Sequence, residues 1–262
     1  MRVLVSVRDA DEARALQAAG VDYIDLKEPA AGALGGLPTA EIVRLVGLLR
    51  AAAGPSRGAA VPPAPPPVPR ISATIGDWPA QALETVLAQA EAVAACGVDL
   101  VKIGVRPDPG PAAVALLEAL AGRARQWQAA GGPGLVPVLV ADAGVPWTVL
   151  DAALAPGRLT AWAALMLDTE DKRGGSLLQR CGEAALRETV AAVRSAAAAA
   201  GQAVPELGLA GALGLDDLPR LRAIGPAYAG FRSAVCAGER AGPLCPQRLQ
   251  ALLAALRPAV AA

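Results

Sequence analysis

The chain has 262 residues, enough for one large domain or two small ones, and alanine, glycine and proline dominate its composition. Lys+Arg and Asp+Glu balance at 24 each, which argues against a nucleic-acid partner or an anionic membrane surface. No histidine occurs anywhere, so Ser-His and Cys-His nucleophile pairs are excluded, and acid–base work falls to Asp, Glu, Lys, Tyr, Cys or water.

RVLVSV (2–7) reads as a first strand, followed by a helix near 9–19 with Asp9 and Asp11 as start signals. DYIDLK (22–27) is a second strand, and Pro38-Thr39 opens a helix near 38–53. The run AAAGPSRGAAVPPAPPPVP (51–69) then breaks the rhythm as a proline-rich surface excursion. RISATIG (70–76), LVKIGV (100–105) and LVPVLVAD (135–142) follow as strands, with helices near 79–96, 111–130 and 146–155. AALMLDT (163–169), ELGLAG (206–211) and YAGFRSA (228–234) complete the strands, with helices near 184–200, 215–224 and 246–257, the second of them started by Asp216. Strand–helix alternation repeated eight times predicts a single (β/α)8 TIM barrel over residues 1–262. The alternative, an open doubly wound sheet, lacks the GxGxxG that would follow its first strand.

Cys96, Cys181, Cys236 and Cys245 show no CxxC spacing, so neither a zinc site nor disulfides are expected, and no cofactor is called for. No apolar run is long enough to span a bilayer, and the N-terminus opens on a strand pattern rather than a signal-peptide layout. The expected setting is the cytoplasm. An alanine-rich barrel with few surface charges is expected to pair with copies of itself.

Only three of the 24 basic residues are lysines: Lys27, Lys102 and Lys172. Lys27 ends strand 2, Lys102 lies in strand 4 and Lys172 follows strand 6, so all three fall in segments that reach the C-terminal mouth of a barrel, where active sites are built. Asp25 sits two residues before Lys27 and points to the same side of the strand. Asp168 closes strand 6, while Asp77 and Asp142 end strands 3 and 5. An arginine stays protonated, whereas a crowded or desolvated lysine can lose its proton and attack a carbonyl to form a Schiff base. The competing reading makes each lysine half of a structural ion pair, and Asp25 and Asp168 ordinary caps of the following helices.

LGLAGALG (207–214) and YAGFRSAVCAGER (228–240) bring glycines to the ends of strands 7 and 8, a frequent phosphate site of this fold. Gly211, Ala212 and Ser233 are the candidate phosphate-contacting residues, and Arg232 the candidate bidentate clamp; the competing reading makes the glycines turns and Arg232 half of a salt bridge. Cys236 and the four tryptophans read as packing residues. Tyr23 alternates with Ile24 and is expected to face the helix layer.

LVSV, DYIDLKEPAAGALGG (22–36), ISATIGD (71–77), VDLVKIGV (98–105), LMLDT with Lys172 beyond it, and LAG followed by GFRSAVCAG together resemble the (5-formylfuran-3-yl)methyl phosphate synthase family. The resemblance runs along nearly the whole chain and is most specific in the IDLK-P-x-x-G-x-LG block; AGERAGPLC departs from the family's more charged ending. It implies a barrel enzyme that joins two glyceraldehyde 3-phosphate molecules, with the Schiff base on Lys27 and catalytic roles for Asp25, Lys102, Asp168 and Lys172. A class I aldolase would need the same lysine and phosphate sites. A decarboxylase of the orotidine monophosphate group would continue DxK as DxKxxD, and Ala30 stands at that last position. A barrel that only binds a sugar phosphate is the non-enzymatic alternative.

Overall fold

Eight parallel strands close into a barrel in chain order. They are β1 (Arg2–Val7), β2 (Tyr23–Leu26), β3 (Arg70–Thr74), β4 (Leu100–Val105), β5 (Gly134–Val140), β6 (Ala164–Asp168), β7 (Glu206–Leu209) and β8 (Tyr228–Phe231). The computed structural model describes residues 1–32, 34–52, 68–108, 110–171 and 173–256. Most of the proline-rich excursion and Lys172 lie outside the described residues.

The main crossovers are α1 (Ala10–Ala19), α2 (Thr39–Ala52), α3 (Leu83–Ala94), α4 (Ala112–Ala129) and α5 (Trp147–Leu154). Beyond these come the single turns α6 (Pro156–Leu159) and α7 (Leu177–Cys181), then α8 (Glu183–Ala199), α9 (Leu218–Ile224) and α10 (Pro246–Leu256). Asp9 caps α1 as its position predicts, accepting from the backbone N–H of Asp11 and Glu12. The helix stops at Gly20, whose φ of 73° suits a residue without a Cβ.

Alternation along each strand divides the interior into two cores. Outward residues such as Val3, Val5, Ile24, Leu26, Ile103, Leu165 and Phe231 pack under the helices. Inward residues form a smaller cluster that includes Leu4, Tyr23, Leu100, Val136, Met166 and Tyr228. The ladder register sorts the inward residues into layers of four drawn from alternate strands, the arrangement expected of a filled (β/α)8 barrel. Tyr23, Leu100, Ala164 and Tyr228 form the floor. Two residues higher on those strands stand Asp25, Lys102, Met166 and Gly230, and two higher again Lys27, Gly104, Asp168 and Arg232. The odd strands interleave Leu4, Ser72, Val136 and Gly208 below Ser6, Thr74, Val138 and Ala210.

Tyr23 therefore faces the barrel interior, not the helix layer. It shares its side of β2 with Asp25 and Lys27, and its ring lies 5.2 Å from that of Tyr228. Room for the second ring comes from Gly208, where a Cβ would collide with the Tyr228 ring.

Candidate active site

At the C-terminal mouth a cavity of about 400 Å³, counted out to its opening, is lined by Ser6, Asp25, Lys27, Lys102, Asp168, Gly211, Ala212, Arg232, Ser233 and Arg240. Five of these are charged groups almost withdrawn from solvent: Asp25 is 0 % exposed, Lys102 2 %, Asp168 3 %, Lys27 5 % and Arg232 7 %. Burying ions costs several kcal/mol each unless partners replace the lost water, so such a cluster persists only if its members satisfy one another.

Asp25 is the centre of that satisfaction. Its Oδ2 accepts from Lys102 Nζ at 3.0 Å and from Ser6 Oγ at 3.0 Å, and stands 4.0 Å from Lys27 Nζ. Its Oδ1 accepts from Ser72 Oγ at 2.7 Å. Burial pushes the Asp25 carboxyl up, but the Lys102 ammonium, then that of Lys27 and the Ser72 hydroxyl, outweigh it and hold the group below the usual carboxylate range. Two amines thus share one carboxylate. Both are rooted in regular backbone: Lys102 pairs with Thr74 and Val136 in the sheet, and Lys27 N–H donates to Val7 O at 3.0 Å just beyond β2.

The block after Lys27 roofs the β4 side of the site. Glu28 N–H donates to Gly35 O, and Thr74 Oγ1 donates to the same carbonyl at 3.0 Å. This folds the loop back and buries Leu34 within the barrel, 1 % exposed. Leu34 lies against Gly104, where a Cβ would collide with Leu34 Cδ1. The glycine directly above Lys102 on its strand thus admits an aliphatic side chain from another loop, and the amine below is kept from bulk water.

Gly211, Ala212 and Ser233 all reach the same cavity from the ends of β7 and β8. Gly211 has φ of 114°, and a side chain there would run into Thr169. Ala212, at φ 50°, is the single non-glycine residue with positive φ among the described residues. Strain of that kind concentrates where backbone must be aimed at a ligand.

Arg232 departs from its expected role as a phosphate clamp. Nε donates to Arg240 O at 2.9 Å. Nη1 donates to Ser6 O at 2.9 Å and Glu12 Oε2 at 2.6 Å, and Nη2 to Glu12 Oε1 at 3.0 Å and Gly242 O at 2.8 Å. All five N–H donors of the guanidinium are engaged inside the protein. Arg232 borders the cavity but locks a loop, and its clamp is directed at Glu12.

Ser6, Ser72, Glu12 and Arg240 were not visible as site residues from the sequence. Ser6 stands opposite Asp25 in the β1–β2 register, and Ser72 opposite it in the β2–β3 register. Their inward period-two positions were a signal, but the register is needed to pair them. Asp77 and Asp142, at the ends of β3 and β5, serve the rim: Asp77 pairs with Arg106 at 2.9 Å, and Asp142 accepts from the N–H groups of Glu170 and Asp171. Trp78 is not packed away. It is 36 % exposed, with its indole N–H on Ile75 O. Cys236 is fully buried, and burial pushes its thiol up, as suits a packing residue. Among the described residues no group of three or more His, Cys, Asp or Glu could hold a metal, and no helix is long and apolar enough to cross a membrane.

Solved structures share the fold at low identity. Phosphoribosyl anthranilate isomerase from Thermus thermophilus superposes with a TM-score of 0.55 at 17% identity, over 98% of both chains. A 3-hexulose-6-phosphate synthase does so at 0.53 and 18% identity, over 96% of this chain and 99% of that one. Sequence relatives are more specific. A Methylorubrum extorquens protein provisionally named (5-formylfuran-3-yl)methyl phosphate synthase is 36% identical over 98% of this chain and 92% of its own length. The (5-formylfuran-3-yl)methyl phosphate synthase of Methanosarcina barkeri is 26% identical over 97% of this chain and 98% of its own. The model of the 4-HFC-P synthase family matches residues 3–253, from the first strand of the barrel into its last helix, and the chain belongs to that family.

Proposed function

We propose that this enzyme condenses two molecules of glyceraldehyde 3-phosphate into (5-formylfuran-3-yl)methyl phosphate, releasing one inorganic phosphate and two waters, through a Schiff base on Lys27. The observation that carries the reading is the pair of buried lysine amines, Lys27 and Lys102, sharing the Asp25 carboxylate at the barrel mouth. Schiff-base formation consumes a neutral amine. Lys27 stands one inward layer above Lys102 on the even strands, nearer the opening of the barrel, which supports it as the amine that meets the aldehyde.

Lys27 attacks the aldehyde carbon of one triose phosphate, and water leaves as the iminium forms. The iminium withdraws electrons from the neighbouring carbon, which gives up a proton and becomes an enamine. The enamine then expels phosphate from the carbon β to the nitrogen-bearing carbon as a dianion, leaving an enol conjugated to the iminium, and a cation at the departing oxygen eases that step, a role for Lys102 or Lys172. The terminal carbon of this enol forms the new carbon–carbon bond to the carbonyl carbon of the second triose phosphate, whose oxygen takes up the enol proton. Asp168, which lines the same cavity, relays protons during the dehydrations, without histidine. Ring closure and hydrolysis of the imine return the amine of Lys27. By reaction class this is a carbon–oxygen lyase acting on phosphates.

Borohydride reduction in the presence of glyceraldehyde 3-phosphate, followed by intact mass and peptide mapping, tests the covalent step. The expected result is a stoichiometric adduct on Lys27, with a furan-aldehyde absorbance accumulating when borohydride is omitted. An adduct without the chromophore would mark an aldolase that stops before dehydration. Absence of any adduct would remove the Schiff base.

A further inference from the structure

Among the described residues one guanidinium in the mouth is built differently from Arg232. Arg240 lies in the loop from β8 to α10, in the segment where the sequence departs from the family's usual ending. Of its five N–H donors, one bonds to a protein acceptor, Nη2 to Gly32 O at 3.3 Å across the mouth in the loop after β2. The side chain is half-buried and lines the cavity together with Lys27, Asp168, Gly211, Ala212 and Ser233.

The backbone beneath it is tied down from several sides. Arg240 O accepts from Arg232 Nε, Ala241 O from Arg8 Nη1 at 2.6 Å, and Gly242 O from Arg232 Nη2. Leu244 N–H donates to Glu12 Oε1 at 3.0 Å, and Ala237 N–H to Pro243 O at 2.9 Å. Three consecutive carbonyls of this loop are thus held by arginines, one of which is paired with the buried Glu12. A loop fixed so firmly, carrying a guanidinium whose donors are mostly open, has the form of a preorganised anion site.

We infer that Arg240 is the residue that recognises the phosphomonoester of the substrate, its planar fork facing the backbone of Gly211, Ala212 and Ser233 across the cavity, with Arg232 positioning its loop. This deepens the proposed function and rests on it for the identity of the ligand, a phosphorylated small aldehyde. Burial lowers the Arg240 guanidinium while the Asp168 carboxylate pulls the other way, so the group has lost water that phosphate oxygens would replace. A lysine would supply a point charge without the fork.

The test uses the full chain and two readouts. Inorganic phosphate is titrated into the native enzyme, Arg240→Gln and Arg240→Lys by calorimetry. Separately, borohydride trapping compares glyceraldehyde 3-phosphate with plain glyceraldehyde. Arg240→Gln is expected to weaken phosphate binding roughly 10- to 100-fold and to lower the preference for the phosphorylated aldehyde by a similar factor, with Arg240→Lys between. Native phosphate affinity and native preference in Arg240→Gln would overturn the assignment. Should neither aldehyde give an adduct in the native enzyme, the Schiff-base reading falls. The phosphate titration then decides Arg240 alone: weakened binding supports it and unchanged binding overturns it.

Discussion

On the even strands the floor layer reads Tyr23, Leu100, Ala164 and Tyr228, while two residues higher the same strands present Asp25, Lys102, Met166 and Gly230. At the floor, polar atoms serve as ties between large rings. The Tyr23 hydroxyl donates to Glu206 at 2.5 Å, and Arg2 both pairs with Glu206 at 2.6 Å and lies over the Tyr23 ring at 5.5 Å. At the mouth, rings give way to glycines and buried charge. One alternation therefore serves two ends: the floor residues fill volume and hold the cylinder together, and the mouth residues carry charge at a cost in desolvation. Substitutions should separate accordingly, the mouth losing chemistry with its fold intact and the floor losing stability with its chemistry intact.

Lys27→Arg should break the comparison most cleanly. It keeps the positive charge but not the nucleophile, so turnover is expected to fall about 10³-fold or more in a steady-state assay, with a native circular dichroism spectrum and a cooperative melt. Near-native turnover would mean that the mouth does not work as proposed.

Glu12→Ala should show where the mouth also bears on stability. It strands the buried Arg232 guanidinium, 7 % exposed, and is expected to cost about 3–5 kcal/mol in urea unfolding. A loss of a few tenths, typical of surface pairs, would mean that the Arg232 loop is held by its backbone contacts alone. Tyr23→Phe is the matched floor change. It removes one hydrogen bond and leaves the ring, so about 1 kcal/mol should be lost while turnover stays within about twofold.

The smallest effects are in pH. Burial, then the bond to Glu206, pushes the Tyr23 phenol up to about 12 from its ordinary 10. The unfolded chain ionises first, so this contribution is complete below pH 10 and is lost as pH rises through 12; Tyr23→Phe should flatten that alkaline limb in melting curves. Asp25 runs the other way. Its folded carboxyl is held below the ordinary aspartate value of 3.8 by the Lys102 and Lys27 ammonium groups. Its contribution is therefore present above that value and lost as pH falls through the folded one, an acid limb that Asp25→Asn should remove.

Strand order and most element positions were legible in the sequence because each crossover is local and each strand is a short apolar run. Asp25, Lys27, Lys102 and Asp168 were legible for a different reason: lysine is rare in this chain, and the spacing within DLK fixes a shared side. The same spacing also placed Tyr23 inside, yet an aromatic beside Ile24 read as helix-facing, because nothing local reveals that Gly208 leaves space for a ring. For Arg232 the sequence offered both a clamp and a salt bridge, but it could not name the partner that decides for the salt bridge. That partner is Glu12, which appears in the sequence as an ordinary acidic residue in the first turn of a helix.

Glu12 binds Arg232 and Leu244, which follow it by 220 and 232 positions, and β1 completes its ladder only against β8. During synthesis this carboxylate leaves the ribosome long before either partner exists, and the first strand waits with an open edge while the other seven are made. Closing the cylinder and delivering Arg240 to its mouth are consequently a single late event. A nascent or truncated chain lacking the final strand holds Lys27 and Lys102 but has neither Ser233 nor Arg240 to wall them in, so the two amines share a complete cavity only in a finished molecule.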